Sequence, residues 1–318
     1  MTEFDTIRYL SRADVERVCP DAGVIADRIE ALLSASRRDE AWEAPKSNIH
    51  PAPGRQWMGL LSGAVQPPLA VFKTLGLSSE NAAQGLPHIG SLIVVHDGTT
   101  GIPTAIMDAG YITGVRTAAV SLIAARRLAR PDAASIAFIG CGVQALSHFD
   151  AFAQEFPIRE VMAFSRRRES GEALCAHARA RGCDARVVDD PGKAIAAADM
   201  VVSSVPEQPG LVPFLDANRV APGAFVAGVD LGRSWVEESF PAFNRIVVED
   251  LEKHGAAPLV TTAPVTADLA DLIAEPRRDD DRARNAFVFR GLAFGDLAAA
   301  SLCLERAVEA GIGVSLAR

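Results

Sequence analysis

The sequence predicts an α/β protein in two parts, a doubly wound parallel sheet and a smaller α+β unit placed ahead of it. Three observations predict this. Short apolar segments alternate with Pro, Gly and Asp-Gly punctuation between residues 57 and 108, with no helical stretches between them. From Ser135 onward strand and helix patterns alternate. At that change of rhythm, Ser135–Ala153 (SIAFIGCGVQALSHFDAFA) runs from an apolar strand through Gly140-x-Gly142-x-x-Ala145 into a helix.

In chain order, residues 12–36 place Val15, Val18, Ile25, Ile29, Leu32 and Leu33 at helical spacing, an amphipathic helix pair interrupted by Pro20. Trp57–Leu61, Leu69–Leu75, Ser91–His96 and Thr104–Asp108 read as strands, separated by turns such as Asp97-Gly98 and Gly101-Ile102-Pro103. Thr113–Leu128 is a helix with Val115, Ala119, Leu122, Ile123 and Leu128 on one side, stopped by Pro131. Ile136–Gly140, Val161–Phe164, Ala185–Val188, Met200–Ser203, Ala224–Val229 and Ile246–Val248 supply the strands of the parallel sheet. The charged segment Glu275–Arg284 reads as a surface loop that closes the sheet domain. A last helix, opening on Asp296 as its N-cap and stopping at Gly311, returns the chain to the first domain. The expected division is 1–126 with 297–318 against 127–296.

Bulk properties exclude several classes. A chain of 318 residues can build two cores without disulfides. The net charge of −8 argues against a nucleic-acid or anionic-membrane partner. Five widely spaced cysteines, Cys19, Cys141, Cys175, Cys183 and Cys303, have no metal-ligand spacing and read as reduced thiols, so no metal is expected. MTEFDTIRYL lacks a basic-then-apolar signal pattern, and no apolar run of about 20 residues occurs. The expectation is a cytoplasmic protein.

The glycine run has a physical reading. Gly140 lets the chain turn tightly off its strand, Gly142 lets the backbone approach a pyrophosphate, and small Ala145 lets the helix pack on the sheet. The pyrophosphate then sits on free helix N–H groups, so the domain is a dinucleotide-binding one of Rossmann type. The second strand ends in Ser165-Arg166-Arg167-Arg168. No acid stands there to accept from a ribose 2′-hydroxyl, and the arginines can stack on adenine or fork a phosphate. NADP(H) is therefore the expected cofactor, with NAD(H) possible if those arginines are merely solvated.

Three further positions invite chemistry. Lys73 lies in the apolar strand LAVFKTLG, where a lysine either snorkels outward or is held inside by an anion. Arg116 falls in the first turn of a helix starting at Thr113, where guanidinium and helix N–H groups together can hold a carboxylate; otherwise it is a surface arginine. Asp230 ends an apolar strand between Gly228 and Gly232, either as a proton shuttle at the carboxyl end of the sheet or as a helix N-cap.

The chain resembles the ornithine cyclodeaminase/mu-crystallin family over nearly its whole length. The resemblance rests on Val71-Phe72-Lys73, Asn81 through Gly85-Leu86-Pro87, Gly101-x-Pro103 with Ala105-x-Met107-Asp108, Ile112–Ala119 (ITGVRTAA), the Gly140 loop with Gln144, and Gly295-Asp296. It implies that Lys73 and Arg116 bind a substrate carboxylate, that Asp230 handles protons beside the nicotinamide, and that the first domain mediates a homodimer. It also implies an NAD(P)H-dependent imine reductase or amino-acid dehydrogenase acting on a small 2-imino or 2-keto carboxylate. An ornithine-type cyclodeaminase using catalytic NAD and a non-catalytic NADP(H)-binding crystallin-like protein are the alternatives. The cofactor set is then Gly140, Gly142, Val143, Gln144, Ser165, Arg166 and Arg167, with Thr117 and His88.

Departures from the family pattern bear on the substrate. Cyclodeaminases follow their aspartate with a Cys-Pro-Gly-Lys-like stretch and an acid, whereas this chain has Asp230-Leu231-Gly232-Arg233-Ser234-Trp235-Val236-Glu237. Lys46 takes the place of an expected substrate-binding arginine, keeping the charge without the bidentate fork. His88 stands where relatives often carry threonine.

Overall fold

Residue contacts in the computed structural model divide the chain into two units, Met1–Arg116 with Leu292–Arg318, and Thr117–Gly291. The structure describes residues 5–208, 210–252, 263–275 and 280–318, with the backbone alone at Ala82. The division falls inside a helix, ten residues before the expected 126, and the return begins at 292 rather than 297.

The first unit is an eight-stranded sheet. Its strands are β1 (Thr6–Leu10), β2 (Ala41–Glu43), β3 (Ser47–Ala52), β4 (Arg55–Ala64), β5 (Leu69–Ser78), β6 (Ile89–Asp97), β7 (Pro103–Asp108) and, from the chain's return, β16 (Val314–Ala317). They lie in the order β16-β1-β7-β6-β5-β4-β2, with β3 also on β4. Sequence reading anticipated β4 to β7 but not β1, β2, β3 or β16. β3 and β16 are almost wholly exposed, so they lack the apolar alternation that marks a half-buried strand.

Alternation on β5 sends Val71, Lys73 and Leu75 to the buried face and Phe72 and Thr74 to the other. Helices α1 (Arg12–Val18) and α2 (Ala22–Ser36), broken at Cys19–Asp21 beside Pro20, supply buried Val15, Val18, Ile25, Ile29, Leu32 and Leu33. The long helix of the returning segment, numbered α8 (Ala293–Glu309), packs on α1, α2, β4 and β5.

The second unit is an all-parallel sheet. Its strands are β8 (Ser135–Ile139), β9 (Glu160–Phe164), β10 (Asp184–Val187), β11 (Met200–Ser203), β12 (Phe225–Gly228), β13 (Arg245–Val248), β14 (Ala267–Asp268) and β15 (Asn285–Val288), in the order β10-β9-β8-β11-β12-β15-β13-β14. Helix α3 (Gly110–Leu128) leads into this unit, α4 (Val143–Glu155), α5 (Arg168–Ala180) and α6 (Pro191–Ala197) make the crossovers, and α7 (Leu269–Ala274) follows β14. Near-continuous apolar strands such as Ile136–Ile139 and Met200–Val202 are buried on both faces, as a covered parallel sheet requires. Strand order reverses between β8 and β11, which defines the point beyond whose carboxyl ends a ligand crevice forms.

The expectation that Glu275–Arg284 closes this domain is corrected by β15, which follows that segment and inserts between β12 and β13. Residues 276–279 of the segment lie outside the described residues. No helix among the described residues is long and apolar enough to cross a membrane.

Candidate active site

In the first unit, Lys73 points into the core because its strand neighbours demand it. It lies opposite buried Leu60 on β4 and buried Ile93 on β6, and it is fully buried itself. Its ammonium is held by two groups, donating to Thr113 Oγ1 at 2.7 Å and to Asp296 Oδ1 at 3.0 Å. Thr113 passes its own proton to the Ala109 carbonyl at 2.7 Å. The anion that keeps the lysine inside is therefore Asp296. Burial lowers the Lys73 pKa to about 8; Asp296 opposes the fall, while Arg116 and Lys46 add to it.

Arg116 joins the same carboxylate, with Nε 3.2 Å from Asp296 Oδ1. Two sequence expectations are corrected here. Helix α3 starts at Gly110, whose N–H is bound by Asp108 Oδ1, so Arg116 sits in the second turn rather than among free terminal N–H groups. It shares a helix face with Thr113 through their three-residue spacing, and both reach the Lys73 cluster. Asp296 is no N-cap: α8 opens at Ala293 with Leu292 as its cap residue. Glu43 from β2 accepts the Phe294 N–H instead, which leaves Asp296 for the two cations. Lys46 is exposed, just before β3, and near enough to act on Lys73.

In the second unit, Asp230 lies just beyond the carboxyl end of β12 and is buried. The helical turn that follows, a 3-10 segment at Glu237–Ala242, has Val236 as its cap residue, so the N-cap alternative is set aside. The chain instead turns through Leu231, at φ +61°, and Gly232, at φ +76°. A left-handed leucine costs about 1 kcal/mol. Four donors meet the Asp230 carboxylate: Ser203 Oγ at 3.0 Å and Gly232 N at 3.2 Å on Oδ1, and Ser234 Oγ at 2.6 Å and Val205 N at 3.4 Å on Oδ2. Burial nevertheless wins and raises its pKa, the hydrogen bonds opposing the rise.

The glycine loop fits a dinucleotide. Gly140 adopts φ +94°, and a Cβ there would stand 2.7 Å from the Ser204 carbonyl oxygen. A Cβ on Gly142 would meet nothing within 4 Å, so backbone can approach a ligand on that side. As the cap residue of α4, Gly142 has no side chain to offer, and the first N–H groups of the helix, at Val143 and Gln144, have no carbonyl one turn back to bond, which is the arrangement that suits an anion. Among the described residues, the buried Gln144 Oε1 has no hydrogen-bond partner.

Ser165 follows β9, with Arg166 and Arg167 exposed after it; Arg167 is the cap residue of α5, and Arg168 pairs with Glu172 at 3.3 Å. Thr117 is buried on α3. His88 is exposed, and its carbonyl accepts from the Ser78 N–H.

Sequence reasoning missed Asp296 and Thr113 as partners of Lys73, and Ser203, Ser234 and Trp235 around Asp230. A buried lysine demands an anion, and that demand, beside the Gly295-Asp296 match to the family pattern, is the signal that points to Asp296.

The model of the ornithine cyclodeaminase/mu-crystallin family matches residues 9–311. An alanine dehydrogenase from Archaeoglobus fulgidus is 30% identical over 247 residues, 73% of this chain and 75% of its own. Among solved structures, the Δ1-pyrroline-2-carboxylate reductase of Thermococcus litoralis, in complex with NADH and L-proline, superposes with a TM-score of 0.86 at 22% identity, covering 98% of this chain and 100% of that one. An archaeal alanine dehydrogenase dimer with bound NAD gives 0.83 at 24% identity, covering 98% and 99%.

Proposed function

The chain belongs to the ornithine cyclodeaminase/mu-crystallin family, and from that premise we propose that it is a nicotinamide-dependent imine reductase or amino-acid dehydrogenase acting on a small 2-imino or 2-keto carboxylate. The Lys73–Asp296–Arg116 cluster carries the reading: two cations share one buried carboxylate, and Lys46 adds further positive charge. A substrate carboxylate meeting Lys73 and Arg116 here would favour the proton that burial loosens on Lys73.

Asp230 serves the substrate nitrogen. As an imine carbon becomes tetrahedral its nitrogen needs a proton, and a carboxyl whose proton affinity is raised by burial is better suited to hold and deliver one than an exposed carboxylate. Val143 and Gln144 N–H would hold the pyrophosphate of the cofactor, with Gly142 giving it access. When bound, the nicotinamide supplies the hydride. Holding the carboxylate fixes the reacting carbon in place, which turns an encounter into a positioned transfer.

Two finer features complete the reading. The cofactor is NADP(H) in preference to NAD(H), supported by exposed Arg166 and Arg167 at the end of β9, with no acid beside them. The protein is a homodimer through the open face of the first sheet, where Leu61, Phe72, Val94 and Ile106 stand side by side across four strands. Leu61 and Phe72 are more than two-fifths exposed, and Trp57 and Leu92 extend the apolar patch.

The deciding experiment is a substrate panel of Δ1-pyrroline-2-carboxylate, pyruvate with ammonia or methylamine, alanine, lysine and ornithine, each with both cofactors. Stoichiometric NAD(P)H consumption on an imino or keto acid is the expected result. Ammonia release from ornithine with catalytic NAD⁺ would make the protein a cyclodeaminase, and tight cofactor binding with no turnover would make it a binding protein.

A further inference from the structure

The surroundings of Asp230 are more ordered than a buried carboxylate requires. Ser203 ends β11 and Ser234 lies four residues past Asp230; both are fully buried, and Trp235 nearly so. Trp235 Nε1 lies 3.0 Å from Ser203 Oγ, and an indole N–H can only donate. Ser203 Oγ is therefore the acceptor, and its single proton is left for Asp230 Oδ1 at 3.0 Å. Ser234 Oγ gives its proton to Oδ2 at 2.6 Å while its backbone carbonyl accepts from Phe214 and Leu215 N–H. The left-handed pair Leu231–Gly232 folds the chain back so that Ser234 and the Gly232 N–H reach the carboxylate. The indole is itself clamped, its ring edge-on to Phe243 at 5.7 Å.

We propose that Ser203, Ser234 and Trp235 are positioning residues that orient Asp230 and set how readily it takes up a proton. This rests on the reading of Asp230 as the group that serves the substrate nitrogen. Every neighbour within hydrogen-bond reach donates, so each favours the ionised carboxylate, against burial. The Trp235–Ser203 bond biases one of these donors: it occupies one of the two acceptor positions of the hydroxyl and favours the rotamer in which the proton points to Asp230, whereas a hydroxyl without that bond rotates more freely to accept from a protonated carboxyl.

Among the described residues of the unit, no charged side chain shares this work. Arg233, in the same turn, is engaged by Glu207 at 2.9 Å. Beyond the ends of the neighbouring strands, Glu249 accepts from the Arg290 N–H at 3.1 Å. Neither group acts appreciably on Asp230, whose balance is between burial and the four donors.

The test follows the Asp230 carboxyl directly, by ¹³C NMR of the intact protein labelled at aspartate Cγ, with the signal assigned by its loss in Asp230→Asn. Ser234→Ala and Ser203→Ala are expected to raise its titration midpoint by about one pH unit each, as loss of a hydrogen bond to a charged group should. Trp235→Phe, which keeps the ring packing but frees the Ser203 hydroxyl, should raise it less, and Ser234→Thr should restore it. The pH profile of NADPH-dependent Δ1-pyrroline-2-carboxylate reduction should move with the NMR midpoint.

Unmoved midpoints in Ser234→Ala and Trp235→Phe, with lowered thermal stability alone, would overturn the proposal and leave packing roles. If Ser203→Ala does not fold, those two variants decide it. Shifted midpoints with an unmoved rate profile would uphold the network and instead remove Asp230 from the chemistry, so the two readings fail separately.

Discussion

Lys73 Nζ lies 3.0 Å from Asp296 Oδ1, although 223 residues of sequence separate them. Both side chains are buried. Such a pair adds little net stability over an apolar one, but taking away one member leaves the other charge stranded. Asp296→Ala is therefore expected to cost about 3–5 kcal/mol, the usual penalty for breaking a buried pair. Urea unfolding checks it; a loss under about 1 kcal/mol, in the range of an exposed pair, would mean that the cations are solvated.

Lys73 gives opposite pH signatures in stability and in binding. Its pKa falls from 10.5 to about 8 on folding, so between those values the unfolded chain holds more protons and stability rises with pH. Below about 8 the folded ammonium is charged, and its desolvation cost is carried in full. Over the same window a carboxylate ligand loses one of its cations, so kcat/KM for a 2-imino acid should fall while the cofactor Kd stays level. Denaturation midpoints and initial rates from pH 7 to 10 check both signs; in Lys73→Met the two trends should flatten together.

For Asp230→Asn the expected loss in turnover is roughly 100-fold or more, the usual contribution of a placed general acid or base. KM should change little. The comparison is of kcat at several pH values, and near-normal turnover across the range would restrict Asp230 to holding its turn.

Cofactor choice is expected to follow the end of β9. Arg166→Ala should weaken NADPH binding more than NADH binding, because the substitution removes a guanidinium fork that only a 2′-phosphate can engage. Fluorescence titration with both nucleotides measures it. A wild-type protein that binds NADH more tightly than NADPH would refute the preference.

Phe72→Glu places a charge in the middle of the open sheet face without touching the Lys73 side of β5. Sedimentation should then report a monomer where the wild type sediments as a dimer. A variant that remains dimeric would move the interface elsewhere.

How much was legible depended on the range of the signal. The Gly140 loop is local, since strand, turn and helix follow one another within twenty residues, and its reading carried the parallel sheet with it. Lys73 and Arg116 were legible as odd cations in apolar company. Asp296 was not, because an aspartate near a helix start reads as a cap; only the arrival of Glu43 at the Phe294 N–H shows that the capping position is filled from elsewhere. Ser203 and Ser234 look like ordinary small residues until the fold sets them against Asp230. β15 was missed because four residues after a charged loop carry too little periodicity, yet it is an interior strand of the sheet.

The first unit is sewn from both ends of the described chain: β16 pairs with β1, and α8 brings Asp296 to Lys73. During synthesis, the residues up to Arg116 leave the ribosome with Lys73 lacking Asp296 and β1 lacking its β16 neighbour, and they wait in that condition while the intervening 175 residues are made. The second unit is contiguous and can close as soon as it emerges, so the later segment of the gene product folds before the earlier one. A nascent chain halted before residue 292 should therefore expose a protease-sensitive amino-terminal portion attached to a resistant nucleotide-binding one.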